Sequence, residues 1–170
     1  ENTEAHQVRV HEMFINSLGW PMASPQRYVP LEGNNMVVAD ELYGYYKFIS
    51  HGTDVNTDAI RSMHIALNED HSVTGDDPGI WYMIDDSNIK LELDSGTYFG
   101  VAKWQWDDAT KAMAVTVSAT SSEGATIWAS KRDEITDTAN VLGTVQEALD
   151  IKTELSIADE GYSLPTKGKD

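Results

Sequence analysis

Residues 88–108 read NIKLELDSGTYFGVAKWQWDD and show the pattern that organises most of this chain. Within 89–93, apolar residues alternate with Lys90 and Glu92, which is typical of a β-strand with one buried face. The Asp-Ser-Gly triplet that follows favours a turn, and a second strand-like run begins after it. The stretch therefore predicts an antiparallel hairpin.

Similar runs lie on both sides of this hairpin. They carry β-branched and aromatic residues and are separated by turn signals such as TGDDPG and SSEG. Seven or eight such runs between Leu42 and about Arg132 fit an antiparallel barrel or sandwich, and closure would remove exposed sheet edges. We expect an all-β fold, an eight-stranded antiparallel barrel of lipocalin-like closure.

The ends of the chain differ from this central part. Segment 24–35 is rich in turn formers and predicts a connector, whereas 136–152 has apolar residues at helical spacing and predicts a helix. The N-terminal segment is thus expected to be short and irregular, and the C-terminal one to be a helix and tail. The predicted domain boundaries are 1–38, 39–133 and 134–170.

Composition limits the partners of the chain. Its 170 residues carry a formal net charge of −16, which disfavours nucleic acid, anionic membrane surfaces and polyanionic glycans. The absence of cysteine excludes disulfides and thiolate zinc sites. Because the chain begins ENTEAHQV, without an initiator methionine or signal peptide, we expect a fragment of a longer protein.

Five stretches in the central region carry a resemblance to a known family. They are YKFISHG (46–52), SMHIALNED (62–70), GIWYM (79–83), SGTYFGVAKWQWDD (95–108) and GATIWASK (124–131). In this order they resemble the C-terminal β-barrel module that follows the catalytic propeller in family 43 glycoside hydrolases of the endo-arabinanase type. The resemblance covers about ninety residues.

The flanking segments resemble neighbouring modules. Residues 9–28 are similar to the closing strand of that propeller and its exit, and 161–170 to the first strand of a bacterial immunoglobulin-like repeat. The resemblance implies a multimodular bacterial protein that is extracellular or on the cell surface. Because the family's catalytic carboxylates lie on the propeller, it implies no catalytic residue in this chain.

Tryptophans suggest a binding site. Flat aromatic rings can hold the apolar face of a sugar while nearby polar groups bind its hydroxyls. Trp106 matches a structural position of the family pattern, whereas Trp104 stands where a long polar residue is usual, which predicts a surface platform. The predicted carbohydrate contacts are Trp104, Trp81, Tyr98 and Trp106, with Gln105 and Asp107 as hydroxyl partners.

A structural role is the alternative for several of these rings. Trp81, Trp106 and Trp128 could each fill a core, and Trp20 could pack at an interdomain hinge. Tyr45 and its neighbours alternate along one strand, so at least one of those tyrosines should face solvent or a cavity.

Neither a metal site nor a catalytic constellation stands out. His51, Asp54 and Asp58 offer oxygen and nitrogen ligands, but their order is not that of an EF-hand, so no cofactor is expected and calcium is the only ion to consider. The chain has no Gly-x-Ser-x-Gly elbow, and no carboxylate pair is distinguished from turn residues.

We therefore expect a non-catalytic carbohydrate-binding module of a secreted plant-polysaccharide-degrading enzyme. Its partners would be a neutral cell-wall polysaccharide (arabinan, arabinoxylan or xylan) and the neighbouring propeller and immunoglobulin-like modules, with no nucleic acid or membrane. The alternative is a barrel that only braces the propeller. A barrel that holds a small apolar ligand inside, as lipocalins do, would need a hollow interior.

Overall fold

A computed structural model describes residues 8–31, 33, 35–55 and 60–133. The chain divides into two units, Glu1–Ile135 and Thr136–Asp170, and all described residues lie in the first. The predicted helix at 136–152 and the immunoglobulin-like start at 161–170 lie outside the described residues.

Ten strands and one short helix make up the described ranges. In chain order they are β1 (His11–Ile15), β2 (Pro21–Arg27), α1 (Ala39–Leu42), β3 (Gly44–Gly52), β4 (Met63–Leu67), β5 (Ser72–Gly75), β6 (Gly79–Met83), β7 (Asn88–Leu93), β8 (Gly96–Asp107), β9 (Ala112–Ser121) and β10 (Thr126–Arg132). No helix in these ranges is long and apolar enough to cross a membrane.

Strands β3 to β10 close into an antiparallel barrel in the order β10-β3-β4-β5-β6-β7-β8-β9. This confirms the predicted eight-stranded barrel. The shortest strand, β5, is formed by Ser-Val-Thr-Gly, which the sequence pattern had assigned to turns. Val73 is the only buried residue of this strand, and one apolar residue is not enough to show an alternating pattern.

The inside of the barrel is a packed core. Buried apolar side chains from every barrel strand and from α1 touch one another there, among them Leu42, Phe48, Trp81, Leu91 and Val117. An interior filled in this way is a core and not a ligand chamber of the kind the lipocalin alternative requires.

Three aromatic side chains of the barrel strands lie outside the core, among them Trp128, for which the sequence left a core position open. Tyr82 and Phe99 are on the outer face of the sheet, and Trp128 points outward to donate from Nε1 to the carbonyl of Ala23 at 3.1 Å. Of the tyrosines on β3, Tyr46 is buried and Tyr45 is 44% exposed, as the alternation predicts.

One end of the barrel is closed by the segment that leads into α1. Val37 of this segment and Leu42 of α1 are fully enclosed by the core. Tyr46 donates its hydroxyl hydrogen to the carbonyl of Leu42 at 2.8 Å, and burial raises the pKa of that phenol. Lys131 donates to the carbonyl of Glu41 at 2.6 Å, which holds the helix to β10.

The strands β1 and β2 form a separate hairpin outside the barrel. The prediction of a connector from residue 24 was therefore wrong as far as Arg27, because β2 continues to that residue. Pro25 has no amide hydrogen to donate, but a two-stranded sheet leaves each strand an unpaired side where none is needed. The hairpin packs against β8, β9 and β10.

Candidate functional site

Trp104 lies at the closed end of the barrel, half-buried. Its ring packs against the core, and its Nε1 donates to Oε2 of Glu41 at 3.1 Å. The same Glu41 oxygen accepts the backbone amide hydrogen of Val38 at 3.0 Å. Trp104 thus helps to hold the end of the barrel closed, and only part of its ring is left for a ligand.

A cleft of about 260 Å³ adjoins this ring. Its walls include Trp104, Met113, Lys131 and Arg132. Burial lowers the pKa of Lys131, whose ammonium is already bound to the Glu41 carbonyl. The cleft therefore combines an aromatic edge with hydrogen-bond donors.

Trp106 is also half-buried, but it lies outside the core cluster. Its Nε1 donates to Oδ1 of Asp108 at 3.1 Å. Arg27 of the hairpin donates from Nε and Nη2 to the two oxygens of the same carboxylate. This ion pair is the main reason that the pKa of Asp108 is lowered to about 2. Trp106 therefore belongs to a contact that ties the hairpin to β8.

Trp81 and Tyr98 do not offer a surface to a sugar. Trp81 is 0% exposed and its ring makes edge contacts with Tyr43 and His71, at centroid distances of 5.7 and 5.1 Å. Tyr98 is buried as well, with its hydroxyl 3.0 Å from Oγ of Ser95. The prediction that these two residues contact a sugar was wrong, because alternation along β6 and β8 points both side chains into the core.

Gln105 is buried under the hairpin. Its Oε1 accepts hydrogen bonds from Ser24 at 2.7 Å and from Thr116 at 2.8 Å. The prediction that Gln105 binds a sugar hydroxyl was wrong, since the hydroxyls it binds are those of the chain itself.

Asp107 is buried as well and is occupied within the fold. Its Oδ1 accepts the amide hydrogen of Ala109, and its Oδ2 lies 2.5 Å from Nη1 of Arg132. The guanidinium approaches outside hydrogen-bond geometry, so this second contact is an ion pair. The prediction that Asp107 binds a sugar hydroxyl was therefore wrong as well.

The hairpin joins the barrel through polar contacts. Ser118 donates to the carbonyl of Ala23 at 2.8 Å, Gln26 to Oγ of Ser130 at 3.3 Å, and Asn16 to the carbonyl of Phe99 at 3.0 Å. A polar outer sheet face is thereby satisfied although it is buried.

The opposite face of the hairpin is apolar and uncovered in the described chain. Met13 is 69% exposed and Ile15 is 58% exposed, and the turn that follows adds Leu18 and Trp20. Large apolar side chains gathered on one surface commonly mark a contact with another protein region.

The proposed calcium ligands are only partly described. His51 packs edge-on against Trp128 with ring centroids 4.7 Å apart, Asp54 is exposed, and Asp58 lies outside the described residues. Within the described ranges, no three His, Asp or Glu side chains are grouped to hold a metal ion.

One surface was not anticipated. Tyr82, Lys90 and Phe99 are direct neighbours in register across β6, β7 and β8. The ammonium of Lys90 lies 5.3 Å from the Tyr82 ring centroid and 5.5 Å from that of Phe99. The alternation in 89–93 places Lys90 outside, but only the strand register brings the two rings beside it.

A model of one protein family matches residues 25–129, which form the barrel with part of β2 and the connecting segment. This model describes the C-terminal lipocalin-like domain of family 43 glycoside hydrolases. The chain belongs to this family. The resemblance found in the sequence motifs is thereby confirmed for the barrel.

Curated relatives of this lipocalin-like domain are extracellular enzymes. The chain is 35% identical over 128 residues to an extracellular endo-α-(1→5)-L-arabinanase 2 of Bacillus subtilis, covering 75% of this chain and 27% of the relative. It is 31% identical over 135 residues to the extracellular endo-α-(1→5)-L-arabinanase of Thermotoga petrophila, covering 77% and 28%.

Solved structures agree with the sequence relatives. A family 43 glycoside hydrolase of Bacillus licheniformis superposes with a TM-score of 0.72 at 37% identity, covering 77% of this chain and 30% of that one. The Thermotoga petrophila endo-1,5-α-L-arabinanase gives 0.68 at 29% identity, covering 74% and 28%. The chain thus spans less than a third of the length of these proteins.

Proposed function

We propose that this barrel is a non-catalytic accessory domain of a secreted arabinan-degrading enzyme and that it braces the enzyme's catalytic region. The single observation that carries this role is the hairpin β1–β2. One face is fixed to the barrel by buried hydrogen bonds, and the other presents Met13, Ile15 and Trp20 to solvent. An element with one face bonded to the barrel and one uncovered apolar face is suited to hold the catalytic region against the barrel.

The occupant of this apolar face would be the region that precedes the domain in the parent enzyme. The family matched is a C-terminal domain, and the relatives are more than three times as long as the matched part. The hairpin lies almost entirely before the family match, on the side from which that region would enter.

The test is to join the catalytic region of the parent enzyme to this domain and to substitute Met13→Ser and Ile15→Ser together. We expect the melting temperature of the catalytic region to fall, because the contact between the two regions loses apolar area. The isolated domain with the same substitutions should keep its own melting temperature.

Val55→Ser is a matched control, since Val55 is fully exposed far from the hairpin in sequence and lies outside every strand. It should leave the catalytic region unchanged. An unchanged melting temperature for the Met13 and Ile15 variant as well would contradict the bracing role.

Carbohydrate binding in the same parent enzyme is the second candidate. The half-exposed ring of Trp104 beside its cleft favours it, and so do the names of the two curated relatives, which act on α-(1→5)-L-arabinan. A neutral glycan suits the net charge of −16. A domain that binds substrate would raise the substrate concentration near the catalytic region.

Affinity electrophoresis tests this candidate directly. The 170-residue chain would run through gels with arabinan, arabinoxylan, xylan, β-glucan or pectin. Retardation in a neutral gel, lost in Trp104→Ala but kept in Trp20→Ala, would support binding at the predicted platform. Retardation that Trp104→Ala leaves intact would remove Trp104 from the site.

A secreted location and the absence of a required cofactor belong to the same proposal. Both curated relatives are named as extracellular proteins. Treatment of the chain with a chelator should leave its melting temperature unchanged, and a fall that calcium reverses would contradict this part of the proposal.

A further inference from the structure

We propose that the outer face of β6, β7 and β8 is a binding surface for a stretch of neutral polysaccharide, formed by Tyr82, Lys90, Glu92 and Phe99. We call these four residues the outer platform. The inference rests on the proposed role in an arabinan-degrading enzyme and assigns glycan contact to residues other than the predicted tryptophans.

The two rings of the outer platform are held apart at a defined spacing. Tyr82 and Phe99 are separated by one strand, which sets their backbones about 10 Å apart across the sheet. The Lys90 ammonium between them contacts both rings by cation–π attraction. The rings are therefore fixed before any ligand arrives, which limits the ordering entropy lost on binding.

Polar groups suited to hydroxyls lie in the same place. Oε1 of Glu92 accepts hydrogen bonds from Lys90 at 2.5 Å and from Tyr82 at 3.1 Å. Its second oxygen belongs to a side chain that is 39% exposed, and can accept from a sugar hydroxyl. These bonds lower the pKa of Glu92 and raise that of Lys90, so both groups stay charged at neutral pH.

The charges of the outer platform point to a neutral ligand. Lys90 and Glu92 compensate one another, so the surface offers donors and acceptors without net charge. The rest of the chain is strongly acidic, with a formal net charge of −16, and repels uronate-rich or phosphorylated polymers. Flat rings with paired donors and acceptors are the combination that recognises sugar rings and their hydroxyls.

The side chains of the outer platform belong neither to the Trp104 cleft nor to the exposed apolar face of the hairpin, although Asn16 at the end of β1 donates to the backbone carbonyl of Phe99 at 3.0 Å. Ile80 and Thr97, the neighbours of Glu92 on β6 and β8, extend it toward the end of the barrel opposite Trp104. The exposed hairpin residues Met13 and Ile15 face away from the barrel. Glycan binding and bracing can therefore be tested independently.

Affinity electrophoresis of the 170-residue chain in linear arabinan is the deciding experiment. Tyr82→Ala and Glu92→Gln should each weaken the apparent affinity by about tenfold or more. Tyr45→Ala is the matched control, since Tyr45 is an exposed tyrosine on the outer face of a different strand. It should run like the parent chain.

Circular dichroism and a melting curve accompany each variant, and Glu92→Gln keeps the shape of its side chain should Tyr82→Ala fail to fold. Unchanged retardation in Glu92→Gln and in folded Tyr82→Ala would overturn the proposal, as would no retardation of the parent chain in any neutral polysaccharide. Retardation in polygalacturonate as strong as in arabinan would overturn the assignment of a neutral ligand. None of these outcomes bears on bracing, which is read from the catalytic region's melting temperature.

Discussion

The two faces of β9 are equally buried and entirely different in chemistry. Val115, Val117 and Ala119 point into the barrel core, whereas Thr116 and Ser118 point outward beneath the hairpin. The inner face is held by apolar contact, which is not directional. The outer face is held by hydrogen bonds, which accept only a narrow range of distances and angles. The core thus gives stability, and the polar interface fixes where the hairpin lies.

Removal of an inner-face ring should have the largest effect. Trp81→Ala would delete the largest fully buried side chain and the hydrogen bond from its Nε1 to the Asn68 carbonyl. We expect a loss of about 3–5 kcal/mol in the free energy of unfolding, measured by urea titration with circular dichroism. Trp20→Ala, whose ring is 61% exposed, should change it by less than about 0.5 kcal/mol. Similar losses in Trp81→Ala and Trp20→Ala would contradict the conclusion that the inner face of the barrel gives the stability.

The polar interface should show smaller losses that are coupled. Gln105→Ala would remove the acceptor that the hydroxyls of Ser24 and Thr116 share. Each hydroxyl keeps a carbonyl within reach, that of Gln26 or that of Lys103, so we expect a cost of about 1 kcal/mol. Once Ser24→Ala has removed one of those hydroxyls, Gln105→Ala should cost less than it does in the parent chain. A double-mutant cycle in urea measures this coupling. Strict additivity would mean that the hairpin is not held through Gln105.

The hydrogen bond of Trp104 at the closed end of the barrel should contribute modestly to the free energy of unfolding. Trp104→Phe keeps an aromatic ring against the core but removes the hydrogen bond to Glu41, and we expect a loss of about 1 kcal/mol. The same substitution at the exposed Trp20 is the control and should have no measurable effect. A Trp104→Phe variant as stable as the parent would assign the ring to packing alone.

The ion pair at the rim of the hairpin should have the smallest effect and a defined pH dependence. Because Arg27 lowers the pKa of Asp108 from 3.8 to about 2, the ion pair stabilises the fold above about pH 4 and loses that effect as the pH falls toward 2. The melting temperature of Asp108→Asn should be slightly below that of the parent at pH 6 and should approach it near pH 2.

Asp94→Asn, in the exposed turn after β7, serves as the control for this comparison. A difference between the parent and Asp108→Asn that is the same at pH 6 and pH 2 would contradict the role of the ion pair.

Much of the barrel was predictable because its signals are local. Alternation in 89–93 and the turn at 94–96 define β7, the next turn and the start of β8 without reference to the rest of the chain. The same holds for Tyr45 and Tyr46, whose opposite exposure follows from their neighbouring positions. A period of two residues is a property of each strand on its own.

The candidate site was less predictable for a physical reason. Gln105 and Asp107 have the residue types of a sugar site, and the same types satisfy a buried interface or a turn. Trp106, expected in the core, lies at the hairpin contact, and Trp104, expected on the surface, packs against the core. Which role a polar or aromatic side chain takes depends on what covers its strand, and periodicity contains no information about that.

The sequence by itself determined that this chain forms short antiparallel strands that close on an apolar core, and its motifs were enough to place the barrel in the family of C-terminal lipocalin-like domains of family 43 glycoside hydrolases. Only the tertiary structure decided that β1 and β2 cover the outer face of β8 to β10, and that Tyr82, Lys90 and Phe99 meet in one row. The physical reason is that strand patterns arise from neighbours along the chain, whereas a surface arises from register and from contacts between residues far apart in sequence.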